Sequence, residues 1–157
     1  MRLRRWLPWI LGAALLAGCW QVWGLYQRQQ QLWRWQLDTL ALHAAQVGDA
    51  ARALAADPHN AYELYRAGFH GESFNLMGSR FYHSPIGGSC SSRGICPAMF
   101  WKDAVDPALM PLYSDRFFEA ERLLRSLANE RYITQAKQDR VFAQLETFMQ
   151  ELWDARR

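Results

Sequence analysis

The 21 residues from Trp6 to Tyr26 contain one strongly polar side chain, Gln21, and this run limits what the chain can become more than any other feature. A helix over that length rises about 30 Å, the thickness of one hydrocarbon core. Trp6 and Trp9 stand at one end of the run, with Trp20, Trp23 and Tyr26 at the other. Tryptophan and tyrosine favour the headgroup layer, because their rings are apolar while their polar atoms seek water. Two aromatic clusters bracketing an apolar run therefore predict a membrane-spanning helix.

Arg2, Arg4 and Arg5 precede the run, whereas Arg28 and Arg34 follow it. The positive-inside rule then places residues 1–5 in the cytoplasm as a basic tip and the body outside it. Within the run, Leu16-Ala17-Gly18-Cys19 resembles the bacterial lipobox, in which a signal peptidase cuts before a cysteine that becomes acylated. That resemblance covers the first 19 residues and implies an alternative attachment, a lipid anchor on Cys19. Instead of the flexible polar tether usual after a lipobox, Trp20 to Tyr26 continues the apolar run. No small-x-small site ends it, which disfavours an ordinary cleaved signal.

A second pattern begins beyond the span. Trp33, Leu37, Leu40, Ala44, Val47, Ala51 and Leu54 follow one another in steps of four and three, a narrow stripe with a period near 3.5 on a helix over residues 27–56. Its flanks are Gln, Arg, Asp, Thr and Ala, as on a water-facing surface. Either this seam packs on the chain's own C-terminal helices or it receives a partner helix or a second copy. If it stood free, the helix would carry the body about 45 Å from the bilayer. Gly48 lies inside the stripe at a cost of about 1 kcal/mol relative to alanine.

Asp57-Pro58 ends that helix, because proline disfavours a helical residue before it. Asn60-Ala-Tyr-Glu63 has capping-box spacing and starts a new helix that Gly68 is placed to stop. From Phe69 to Tyr113, Gly71, Gly78, Gly87, Gly88 and Gly94 alternate with Pro85, Pro97, Pro107 and Pro111 among scattered aromatics. Short strands are expected near Phe74–Met77 and Arg80–His83, joined as a hairpin through Gly78-Ser79. Such a long irregular segment suggests a function or a partner surface. Helical order returns where Ser114 or Asp115 can cap a stripe of Phe117, Ala120, Leu124, Leu127 and Ala128. After a turn at Asn129–Ile133, Thr134 can cap a last helix with Val141, Leu145, Phe148 and Leu152 on one face. These two helices should form an antiparallel hairpin.

The expected fold is thus mainly α: a membrane helix running into a long helix, then a small helical domain with an irregular aromatic-rich insert and a C-terminal helix hairpin. The units expected are 1–5, 6–26, 27–56, 57–113 and 114–157. Once the three N-terminal arginines are set aside, basic and acidic residues balance at 15 each, so the chain carries no clustered basic footprint for nucleic acid. Half the residues are apolar, a composition that folds. Cys90 and Cys96, separated by five residues in a Gly/Ser/Arg loop, are expected to form a disulfide in an exported body, worth about 2–2.5 kcal/mol by loop closure.

Candidate chemistry is sparse. His70, Glu72 and His83 with Cys90 and Cys96 hold metal-ligating atoms, but no spacing among them matches an established site, so no metal is expected. Ser73, Ser84 and Ser89 near His70 and His83 are loose nucleophile candidates without an elbow motif, so no catalytic residue is assigned. Cofactor motifs are missing as well. The expected function is a scaffold or interaction component of a bacterial envelope assembly, such as a secretion, conjugation, pilus or division machine. It would be held in the inner membrane with its body in the periplasm, and would meet lipid and a protein partner or itself through the seam. A lipoprotein carrying a ligand-binding or small enzymatic domain, and a phage lysis component, are the alternatives.

Overall fold

The computed structural model describes residues 3–82 and 106–155. Four helices account for most of them: α1 (Leu3–Ala56), α2 (Ala61–Tyr82), α3 (Met110–Ala128) and α4 (Gln135–Ala155). Among the described residues there is no strand. The chain divides into two units, Met1–Trp33 and Arg34–Arg157.

In the first unit, α1 is bare. Trp6, Ile10, Leu11, Leu15, Leu16, Trp20, Val22, Trp23 and Leu25 are all more than half exposed, and at about 100° per residue they surround the helix axis. This helix is long and apolar enough to cross a membrane.

The second unit is a four-helix body, and its core explains the seam. Leu37, Leu40, Ala44, Val47, Ala51 and Leu54 are each no more than 1% exposed, and Trp33, at the end of the first unit, is half-buried. Ala41, Gly48 and Ala50 are buried with them. The alanines that read as flank thus widen the stripe into the broad arc of a helix wedged among neighbours, rather than the narrow seam of a two-stranded coil. The helix beyond Trp33 does not stand free: its seam is covered by the chain's own helices. Phe74 of α2, Phe117 and Leu124 of α3, and Leu145 and Leu152 of α4 complete the core with Ile133 of the connecting turn.

Contacts fix the directions of the helices. His43 meets His70, and Gln46 and Asp49 meet Arg66, so α2 runs antiparallel to α1. Arg34 reaches the carbonyls of Glu130 and Arg131 at 3.2 and 3.0 Å, while Arg52 lies over the Phe118 ring at 4.6 Å, so α3 is also antiparallel to α1. Consequently α2 and α3 are parallel, and the ends that the chain must join, Tyr82 and Met110, lie at opposite ends of the body. Arg116 ties α3 to α4 through an ion pair with Glu151 at 2.8 Å and through the Phe148 ring, as expected for an antiparallel hairpin.

Several local expectations are corrected. Gly68 does not stop a helix: α2 continues to Tyr82, so Phe74–Met77 and Arg80–Tyr82 are helical rather than strands of a hairpin. Ala67, Gly71, Phe74 and Gly78 make a buried face at 4-3-4 spacing, beside which Gly68 is buried too, and packing of small residues outweighs the weak helix propensity of glycine. The capping box is half formed. Asn60 Oδ1 accepts the Glu63 N–H at 3.2 Å, but the Glu63 carboxylate turns to Arg66 at 3.3 Å and the Asn60 N–H donates to the Asp57 carbonyl.

α3 starts four residues before Ser114, which is buried in its second turn. Its start is an Asp106-Pro107 turn, where the Asp106 carboxylate accepts the Ala108 N–H at 2.9 Å, followed by Pro111 in the first turn of the helix. On α4 the buried face is Gln138, Phe142, Leu145, Met149 and Leu152, so the stripe is turned by one position and Val141 and Phe148 are only half-buried. His83, Ser84, Ser89, Cys90, Cys96, Phe100 and Trp101 lie outside the described residues, and the expected disulfide and the aromatic-rich insert lie there with them.

Candidate functional site

The α1–α2 face of the body gathers the titratable and aromatic side chains that the core leaves over. On α1, His43 borders the buried arc and Gln46 lies one turn further on. On α2, Arg66 and His70 lie one turn apart on the edge that meets α1. The Arg66 guanidinium is a hub: it donates to Gln46 Oε1 at 2.9 and 2.6 Å, to Glu63 at 3.3 Å, and lies 3.6 Å from Asp49. A fork-shaped cation suits this role because it can serve several acceptors in one plane.

Beside it, the Nδ1 atoms of His43 and His70 are 2.9 Å apart. Burial holds both imidazoles below the ordinary value of 6.5, and the neighbouring His43 and Arg66 charges push His70 further down. Phe69 stands edge-on to His70 at 5.1 Å and stacks on Tyr65 at 6.2 Å.

Outward from this contact the surface is apolar. Tyr62, Tyr65, Phe69 and Leu76 form a stripe along α2 at steps of three, four and seven, each at least half exposed. Trp35 and Leu42, one heptad apart on α1, are exposed at 61% and 49%. The antiparallel pairing puts Leu42 near the level of Phe69 and Trp35 near that of Leu76, with the His43–His70 contact and the Arg66 hub where the two helices meet. Exposed aliphatic and aromatic side chains are common singly, but rows of this length on adjoining helices mark interaction surfaces.

His70 finds its partner in His43, 27 residues away, while His83 lies outside the described residues. Among the described residues no three metal-ligating side chains converge. Ser73 is half-buried on α2, and no hydrogen bond joins it to either imidazole. A groove between α1 and α3, lined by Arg52, Asp115, Phe118, Glu119, Glu121 and Arg122, opens broadly to solvent. Its glutamates are already engaged, Glu119 with Arg116 at 2.8 Å and Glu121 with Arg125 at 2.7 Å. Cys19 is exposed on the bare part of α1 with its thiol free. The His43–His70 pair is not legible in the sequence, since a contact between two helix flanks leaves no motif; the stripe on α2 is interrupted in the sequence by Gly68 and Gly71, which read as helix stops. No known protein family, curated protein or solved structure matches the chain.

Proposed function

We propose that the protein is a membrane-tethered helical interaction component of a bacterial envelope assembly, anchored by Trp6–Tyr26 and carrying its body into the periplasm. One observation carries the reading: the membrane-length part of α1 exposes large apolar side chains around its whole circumference. Keeping each such side chain in water forgoes about 1.5–3 kcal/mol of burial, a penalty that a hydrocarbon surrounding removes. Aromatic clusters at both ends and three arginines before the run support a span with the N-terminus inside.

The interaction role rests on the body. With the seam closed into the core, the surface left for a protein partner is the outward apolar strip of α1 and α2. Secretion, conjugation, pilus and division machines are settings that such a component would suit, and a phage lysis component would share the form. Attachment through an acylated Cys19 is the second reading, favoured by Leu16-Ala17-Gly18-Cys19. The helix continues past that cysteine without a polar tether, which supports the span.

A topology reporter joined after Arg157 tests the reading. Alkaline phosphatase, which is active only outside the cytoplasm, is expected to be active there, and a cytoplasmic fluorescent reporter dark. The opposite pair of results overturns the orientation. Intact mass of the membrane-extracted protein separates the anchors: a chain retaining residues before Cys19 excludes the lipoprotein, and one beginning at acylated Cys19 excludes the span.

A further inference from the structure

The His43–His70 contact belongs to neither the anchor nor the core. Its two ring centroids are 5.1 Å apart, nearly as far as a 2.9 Å N···N contact allows, so the nitrogens face one another head-on. Two nitrogens that close on a straight line cannot share a metal ion at about 2.0–2.1 Å from each. They can share one proton. A neutral imidazole donates from one ring nitrogen and accepts at the other, so the bond forms in either direction when both rings are neutral, and is reinforced by charge when one is protonated. With both rings protonated, each Nδ1 is a donor, and two cations face each other.

We propose that His43 and His70 form a proton-operated latch between α1 and α2, closed while at least one imidazole is neutral and released when both are protonated. The surroundings favour release in acid. Arg66 is the cation one turn before His70, and its charge is answered by Glu63 on its own helix and by Asp49 and Gln46 on α1 rather than by either histidine. On the core side, α3 presents Phe117 to Phe74 at 5.9 Å, not a carboxylate that would hold a second proton in place. The output is the exposed strip, because Phe69 rests edge-on against His70 and carries Tyr65 on its face.

The burial that depresses both imidazoles sets the direction. Below 6.5 the opened chain binds protons that the closed pair resists, so closure weakens as pH falls through that value and is fully present above it. A body exposed to an unbuffered compartment would meet such changes directly.

Hydrogen exchange of the full-length protein in detergent micelles, at pH 7.5 and 5.5 and corrected for intrinsic exchange, tests the latch. Amides of α2 around His70 are expected to lose protection at the lower pH, by about tenfold for each pH unit over which one extra proton is taken up on opening. In His70→Asn, which leaves one titrating ring opposite a neutral amide, this loss should diminish, since only the burial of His43 then resists a proton. Equal protection of the wild type at both values, or an undiminished loss in His70→Asn, overturns the proposal. Histidine NMR of the wild type serves if the variant does not fold: His43 and His70 should titrate in two separated steps, and two independent titrations at the ordinary imidazole value contradict the latch.

Discussion

A Cβ on Gly48 would lie 3.2 Å from the Phe118 ring, tighter than ordinary contact but against a side chain that is only half-buried and free to move by a few tenths of an ångström. Alanine there gains about 1 kcal/mol of helix propensity and loses a similar amount in crowding, so Gly48→Ala should leave stability within about 1 kcal/mol of the parent. Gly48→Leu has no such balance and should cost about 1–3 kcal/mol. Chemical unfolding of the two variants in micelles checks the contrast, and equal destabilisation by both would mean that α1 and α3 are not this close. Arg34 holds the turn after α3 by two backbone carbonyls; charged hydrogen bonds of this kind contribute about 1.5–3 kcal/mol, less where solvent reaches them. Arg34→Ala should therefore loosen the α3–α4 turn, seen as faster exchange at residues 129–133, without unfolding the body.

The helices separate what periodicity can reveal from what it cannot. The stripe from Leu37 to Leu54 was legible because a helical repeat of apolar residues announces a buried face, and so were the hairpin of α3 with α4 and the stop at Asp57-Pro58. What covers the stripe was not legible: a repeat near 3.5 serves a partner helix or an internal neighbour equally well, and alanines at 41 and 50 look alike as flank and as core. The length of α2 is not legible because glycine reads as a stop, although three glycines on an inner face, where bulk would keep neighbours apart, are compatible with a helix held by packing. The buried stripe and the exposed strip predict opposite outcomes. Leu40→Asp or Val47→Asp puts a carboxylate into a site less than 2% exposed and should unfold the body rather than merely detach a partner. Phe69→Ser and Leu42→Ser, on the outer surface, should leave stability within about 0.5 kcal/mol. Circular dichroism melts of the four variants decide it, and a folded Leu40→Asp would mean that the seam is a surface after all.

For the whole molecule, one chain combines two surfaces that need different solvents: a helix apolar on every side, and a body whose apolar residues are mostly inside. Burying Trp6–Tyr26 in hydrocarbon would resolve that conflict, and the proposed tethering rests on it. The most direct measurement is alkaline extraction of membranes from cells making the full-length protein, beside a Leu15→Arg variant that places a charge at the middle of the run, at a cost of about 2.5–3.5 kcal/mol for insertion. The parent is expected to stay in the membrane pellet through the alkaline wash and to leave it only with detergent, while the variant shifts toward the soluble or degraded fraction. Full-length protein recovered intact and soluble from the cytosol, with Leu15→Arg behaving no differently, would contradict the account.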